Sequence, residues 1–122
     1  TLDDLLAEAG NPRIDFVSID VEGMELRVLQ GFDLARHCPS LVLLEDTVRS
    51  LDKHRHMTRC GYKLVKRTVL NNWYIPRRQP FPGRTLGERL ELFRKMYLAL
   101  PLRQLRLALR RKTSSSHEKN TH

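Results

Sequence analysis

The sequence predicts an α/β domain whose parallel strands end in an antiparallel hairpin, and three observations carry that expectation. Residues 14–32 (IDFVSIDVEGMELRVLQGF) open with an apolar, largely β-branched or aromatic run that gives way at Asp20 to helical spacing. Residues 41–44 (LVLL) form a second such run after a connection of about twenty residues, long enough for a right-handed crossover between parallel strands. Residues 62–67 and 72–75 alternate as strands across so short a turn, residues 68–71, that they must run antiparallel.

Taken in order, residues 1–10 (TLDDLLAEAG) read as a short amphipathic helix. Thr1 caps it, Asp3 and Asp4 occupy its first turn, Leu2, Leu5 and Leu6 share a face, and Gly10 ends it. Asn11-Pro12 turns the chain into the first strand, where Ile14, Phe16, Val17 and Ile19 are interrupted only by Asp15 and Ser18. A helix is expected at once after Asp20, with Asp20 as its cap and Glu22 and Glu25 in its first turn, where carboxylates favour the positive end of the helix dipole. Met24, Val28 and Leu29 give its apolar stripe, and Gly31 its stop. His37-Cys38-Pro39-Ser40 reads as a loop before LVLL, which ends in Glu45 and Asp46. If the two strands are parallel, both acidic ends share one edge of the sheet. Residues 52–60 form a helix stopped by Gly61, and Pro76 closes the last strand (NWYI).

Beyond Pro76 the composition changes. Residues 77–85 are a proline-rich linker, residues 86–112 a basic helical extension broken at Pro101, and residues 113–122 (TSSSHEKNTH) have the composition of a disordered tail. The net charge of +8 is unevenly placed. Residues 1–62 carry seven Lys/Arg against eleven Asp/Glu, and residues 63–122 carry fifteen against three, which excludes a uniformly basic nucleic-acid domain. No apolar run approaches the roughly 20 residues of a membrane span, and no signal-peptide pattern is visible. The chain opens on a helix signal without a methionine, so a piece of a longer protein is expected. Cys38 and Cys60 are too far apart for a CxxC site and too few for a disulfide framework, leaving reduced, half-buried thiols. The five histidines show no metal-ligand spacing.

The segments TLDDLL, IDFVSIDVEGMELRVLQGF, PSLVLLED and MTRCGYKLVKRTVLNNWYIP together resemble the FkbM family of S-adenosylmethionine-dependent methyltransferases. The resemblance covers roughly residues 1–76 and is strongest at Ile19-Asp20-Val21-Glu22-Gly23. It implies a class I, Rossmann-like methyltransferase sheet of seven strands with the last antiparallel. On it, residues 14–20 are the fourth strand, 41–45 the fifth, and 62–67 with 70–75 the closing hairpin. The glycine-rich turn after the first strand and the acid after the second, through which such enzymes hold their cofactor, do not occur here. The resemblance therefore implies the C-terminal half of the domain, expected alone to bind no S-adenosylmethionine and to associate along its cut sheet edge. A cytoplasmic location is expected.

A strand feeding a helix, with carboxylates at the junction, is a place where α/β sheets bind ligands. Methyl transfer to oxygen is an in-line displacement that needs the acceptor oxygen close to the methyl group, and a base where the hydroxyl is not already acidic. The candidate catalytic residues are Asp20, Glu22 and Glu45, with Asp20 also the candidate for holding the cofactor's amino group. The acceptor is expected to be a hydroxyl of a small molecule or carbohydrate. A catalytic carboxylate needs a raised pKa, which clustering and burial supply. The carboxylates lack a pattern sharp enough to name a metal. His54 and His56 read as an exposed helical pair, and Trp73 and Tyr74 as sheet core. The alternative reading is a non-catalytic module whose basic C-terminal helix, with Arg103, Arg106, Arg110 and Arg111 among its leucines, docks an anionic partner, either nucleic acid or an acidic membrane surface. No zinc-finger spacing or RNA-recognition aromatic signature favours nucleic acid.

Overall fold

The computed structural model describes residues 1–47, 50–83 and 85–98. Residues Thr1–Gly83 form one unit and the chain from Arg84 a second. In the first, helix α1 (Leu2–Glu8) is followed by β1 (Phe16–Ile19), α2 (Glu25–Gln30), the single turn α3 (Leu34–His37) and β2 (Leu41–Glu45). Helix α4 (Asp52–Arg59) then leads into the hairpin of β3 (Tyr62–Thr68) and β4 (Asn71–Pro76). In the second unit α5 (Leu86–Phe93) starts at a Thr85–Glu88 capping box and widens into a π turn, Arg94–Leu98. The basic segment 102–112 and the tail 113–122 lie outside the described residues.

The sheet is mixed, in the order β1-β2-β4-β3. Strands β1 and β2 are parallel, with Ile19 opposite Leu44, and the β3–β4 hairpin is antiparallel, as the sequence predicts. The hairpin's second strand inserts beside β2, with Val42 opposite Tyr74 and Glu45 opposite Asn71. Central β2 therefore buries Val42 and Leu44 completely, whereas Phe16 on β1, at the end of the sheet, is exposed. Helices α2 and α4 supply Leu29 and Met57 to a core that also takes Ile19, Phe32, Leu34, Tyr62 and Tyr74. The Tyr62 hydroxyl donates to the Pro39 carbonyl at 2.9 Å, fixing the start of β3 to the segment that leads into β2. Helix α1 has the expected Thr1 cap and docks by its Asp3 carboxylate, which accepts the Asp33 N–H at 3.0 Å. A Cβ at Gly31 would stand 3.0 Å from the Thr1 Cβ, so a side chain there would need Thr1 to shift by a few tenths of an ångström.

Four expectations are corrected. The first strand begins at Phe16, not Ile14, and α2 begins at Glu25, not directly after Asp20. Between them Glu22 (φ 48°) and Gly23 (φ 97°) are both left-handed, in a turn closed by the Met24 N–H on the Val21 carbonyl at 3.2 Å. Left-handed residues cannot belong to a helical first turn. Glu22 is therefore outside α2, and Asp20 is not its cap; that position is held by Met24, which makes no side-chain bond. Third, His37 ends a helical turn whose start the Asp33 carboxylate caps by accepting the N–H groups of Ala35 and Arg36, so the expected loop begins at Cys38. Fourth, His54 and His56 are half-buried, since α4 turns that face toward the sheet; the His54 ring meets the Tyr74 hydroxyl at 3.1 Å. The two cysteines are free, Cys38 exposed and Cys60 half-buried. Among the described residues no helix is long and apolar enough to cross a membrane.

Candidate functional site

Parallel pairing of β1 with β2 decides where the acids go. With Ile19 level with Leu44, the residues that follow, Asp20 and Glu45, stand side by side at the carboxyl ends of the two strands. Beside Asp20 the Glu45 carboxyl is raised above its ordinary value, because its protonated form can donate to Asp20 and its charged form is repelled by it, with smaller effects from burial and from Glu25; Lys53 opposes them.

Beside this pair lies a cleft of about 260 Å³ lined by Glu22, Gly23, Glu25, Glu45, Thr47 and Lys53. Of the three predicted site residues, Glu22 and Glu45 line it, and Asp20 adjoins it through Glu45. The left-handed turn at Glu22 and Gly23 forms one wall. It is held by Glu25, whose Oε1 accepts the Gly23 N–H at 2.8 Å, so the first carboxylate of α2 faces back into the turn.

The floor of the site is a charged network that sequence reasoning missed. Lys53, from α4, reaches three acceptors: Glu25 Oε2 at 3.3 Å, Asp46 Oδ1 at 3.1 Å and the Glu45 carbonyl at 3.1 Å. An ammonium group has three N–H donors, and this one can direct all of them to the site. The Glu25 and Asp46 side chains are almost fully enclosed, at 3% and 1% exposure. Burial pushes the Glu25 carboxyl up, but the backbone N–H groups of Gly23 and Glu25 together with Lys53 outweigh it and leave the pKa below the ordinary value. On the far side of Asp46, the Asn72 amide donates to Oδ2 at 3.0 Å, and Arg67 donates to the Asp46 carbonyl at 2.6 Å and to the Asn72 side chain. Asp46 alone carried a sequence signal, as the second acid at the end of β2. Next to this network, burial lowers the His54 pKa while Asp46 partly restores it. Among the described residues no group of three or more His, Cys, Asp or Glu is arranged to hold a metal ion.

The arrangement can do two things chemically. The carboxylates at the cleft can orient a hydroxyl and take its proton, and the net negative charge of the rim favours a positively charged ligand over an anion. Lys53 offsets only part of that charge, since its single positive charge is shared with the buried Glu25 and Asp46.

A family model described as "Methyltransferase FkbM domain" matches residues 1–64, which include β1, β2, the intervening turn and every residue lining the cleft. No curated protein and no solved structure matches the chain.

Proposed function

The chain belongs to the FkbM methyltransferase domain family, and from that premise we propose that it serves S-adenosylmethionine-dependent O-methylation of a hydroxyl on a small molecule or carbohydrate. The observation that carries this reading is the Asp20–Glu45 pair, held at the carboxyl ends of two parallel strands against a cleft. Glu45, raised by its neighbour, is the better base of the two and takes the proton of the acceptor hydroxyl. Asp20, beside it, holds the positively charged amino group of the cofactor. Glu22, on the left-handed turn, closes the rim opposite Glu45 and holds further polar groups of the acceptor.

S-adenosylmethionine supplies the methyl group as a sulfonium. The residues present suit its positively charged end, since Asp20, Glu22 and Glu45 are carboxylates at one sheet edge. At about 260 Å³ the cleft is smaller than the roughly 300–1,000 Å³ of sites that enclose a drug-sized ligand, so it fits that end and not the whole cofactor.

The test is methyl transfer by the full-length protein from labelled S-adenosylmethionine to a panel of carbohydrate and simple alcohol acceptors. Asp20→Asn and Glu45→Gln each keep shape and remove charge. Transfer is expected to fall by about 10²-fold or more in both, with little change in melting temperature. Unchanged turnover in both variants would overturn the assignment.

A further inference from the structure

We propose that the β3–β4 turn, Val69 with Leu70, is an apolar rim of the acceptor site, so that the acceptor carries an aliphatic portion beside its hydroxyl. The inference rests on the acceptor reading above and deepens it.

The turn stands at the same sheet edge as the acids. Asn71, the first residue of β4, pairs with Glu45, and the Leu70 carbonyl accepts the Asp46 N–H at 2.7 Å. Residues 45 and 47, on either side of that bond, both line the cleft. The turn is also clamped. Arg67 fixes its incoming strand to Asp46 and Asn72, and the Trp73 indole N–H donates to Thr68 Oγ1 at 3.1 Å across its base.

Its sequence is wrong for stability. Val69 has φ 31° and Leu70 does not share the left-handed region, the sign pattern of a type II′ hairpin turn, whose first central position favours glycine. A β-branched residue there is a conformational outlier. Nor does packing compensate, since Val69 is 92% exposed and Leu70 43%. Folding alone gains nothing from placing two aliphatic side chains here, and strain held at the margin of a site points to contact with a ligand.

The experiment uses two probes, methyl β-glucoside and n-octyl β-glucoside, the latter kept below its micellar concentration. Each is titrated into the chain and followed by amide NMR. The octyl compound is expected to bind at least about tenfold more tightly and to move the Val69, Leu70 and Thr47 amides. Val69→Gly is expected to raise the melting temperature and yet reduce that preference, a divergence that a purely structural turn would not give. Leu70→Ser should reduce it likewise, whereas Leu5→Ser, on an exposed leucine of α1, should not. An octyl preference that survives both turn variants, or that Leu5→Ser also abolishes, overturns the rim. Shifts at Gly23 and Thr47 with both glucosides but no octyl preference overturn the rim alone. No shift with either glucoside overturns the acceptor reading and the rim with it.

Discussion

Lys53→Met isolates the network beneath the cleft. The substitution keeps most of the aliphatic stem and removes the ammonium group, leaving Glu25 and Asp46 almost fully buried without their shared cation. Arg67 is already engaged with the Asp46 carbonyl and the Asn72 side chain, on the far side of Asp46 from Glu25. Breaking a buried pair by removing one partner costs about 3–5 kcal/mol. The unit Thr1–Gly83 is expected to have a total stability of about 4–12 kcal/mol, so the loss removes a large fraction of it, and the variant is half-unfolded at neutral pH if the total lies at the low end of that range. The loss should also depend on pH in a defined direction. The Glu25 pKa is depressed in the folded chain, so its stabilisation is present above the ordinary value of 4.5 and is lost as pH falls through the folded value. Without Lys53, burial pulls that carboxyl back up, and the deficit should shrink on acidification as the carboxyls take up protons. Urea denaturation followed by circular dichroism and Trp73 fluorescence, at pH 7 and at successively lower pH, measures both effects. A deficit below about 1 kcal/mol, or one that does not change with pH, would refute the reasoning, since an exposed pair behaves that way.

Three further outcomes are expected. Asp20→Asn removes the charge that raises Glu45, so the Glu45 carboxyl should titrate closer to its ordinary value of 4.5 in carbon-13 NMR; a midpoint identical to the unmodified chain's would show that Asp20 does not act on it. Gly23→Ala should destabilise the chain by about 1 kcal/mol on backbone conformation alone, because φ is 97° and the added methyl group would meet no atom within 4 Å; Glu22→Gly, which relaxes the neighbouring left-handed residue, should not lower the melting temperature.

Alternation and turn length made the sheet legible. LVLL could only be a buried strand, and two strands around residues 68–71 could only be antiparallel, so pairing of the acidic strand ends followed from the parallel crossover. The junction after Asp20 misleads for a physical reason. Asp20, Glu22 and Glu25 carry the composition of a helical first turn, yet Gly23 permits a left-handed turn that Glu25 then fixes through the Gly23 N–H. The charged floor left little trace, because Glu25, Asp46, Lys53, Arg67 and Asn72 come from five separate elements or junctions. Their meeting depends on how α4 is rotated against β2, and no local pattern encodes that. Likewise His54 looks like a surface residue until the Tyr74 hydroxyl is set beneath it.

The order of the strands has a consequence for synthesis. β4 is the last of the four to leave the ribosome, yet it lies between β2 and β3, and its contacts with β2 reach back from Tyr74 to Val42. Until Asn71–Pro76 emerges, β2 has one unpaired side, and Asp46 lacks the Asn72 amide that completes its shell. Pairings this distant along the chain are slow to form, because loop closure must precede any gain from the contact. A nascent chain whose emerged part ends near residue 70 therefore presents Val42 and Leu44 beside an open strand edge, the kind of surface that chaperones bind and that aggregates when they do not. The acidic edge is completed in one late step, and synonymous codons that slow translation while β2 has emerged and β4 is still in the exit tunnel should lower the yield of folded protein more than the same codons placed where β4 has already emerged.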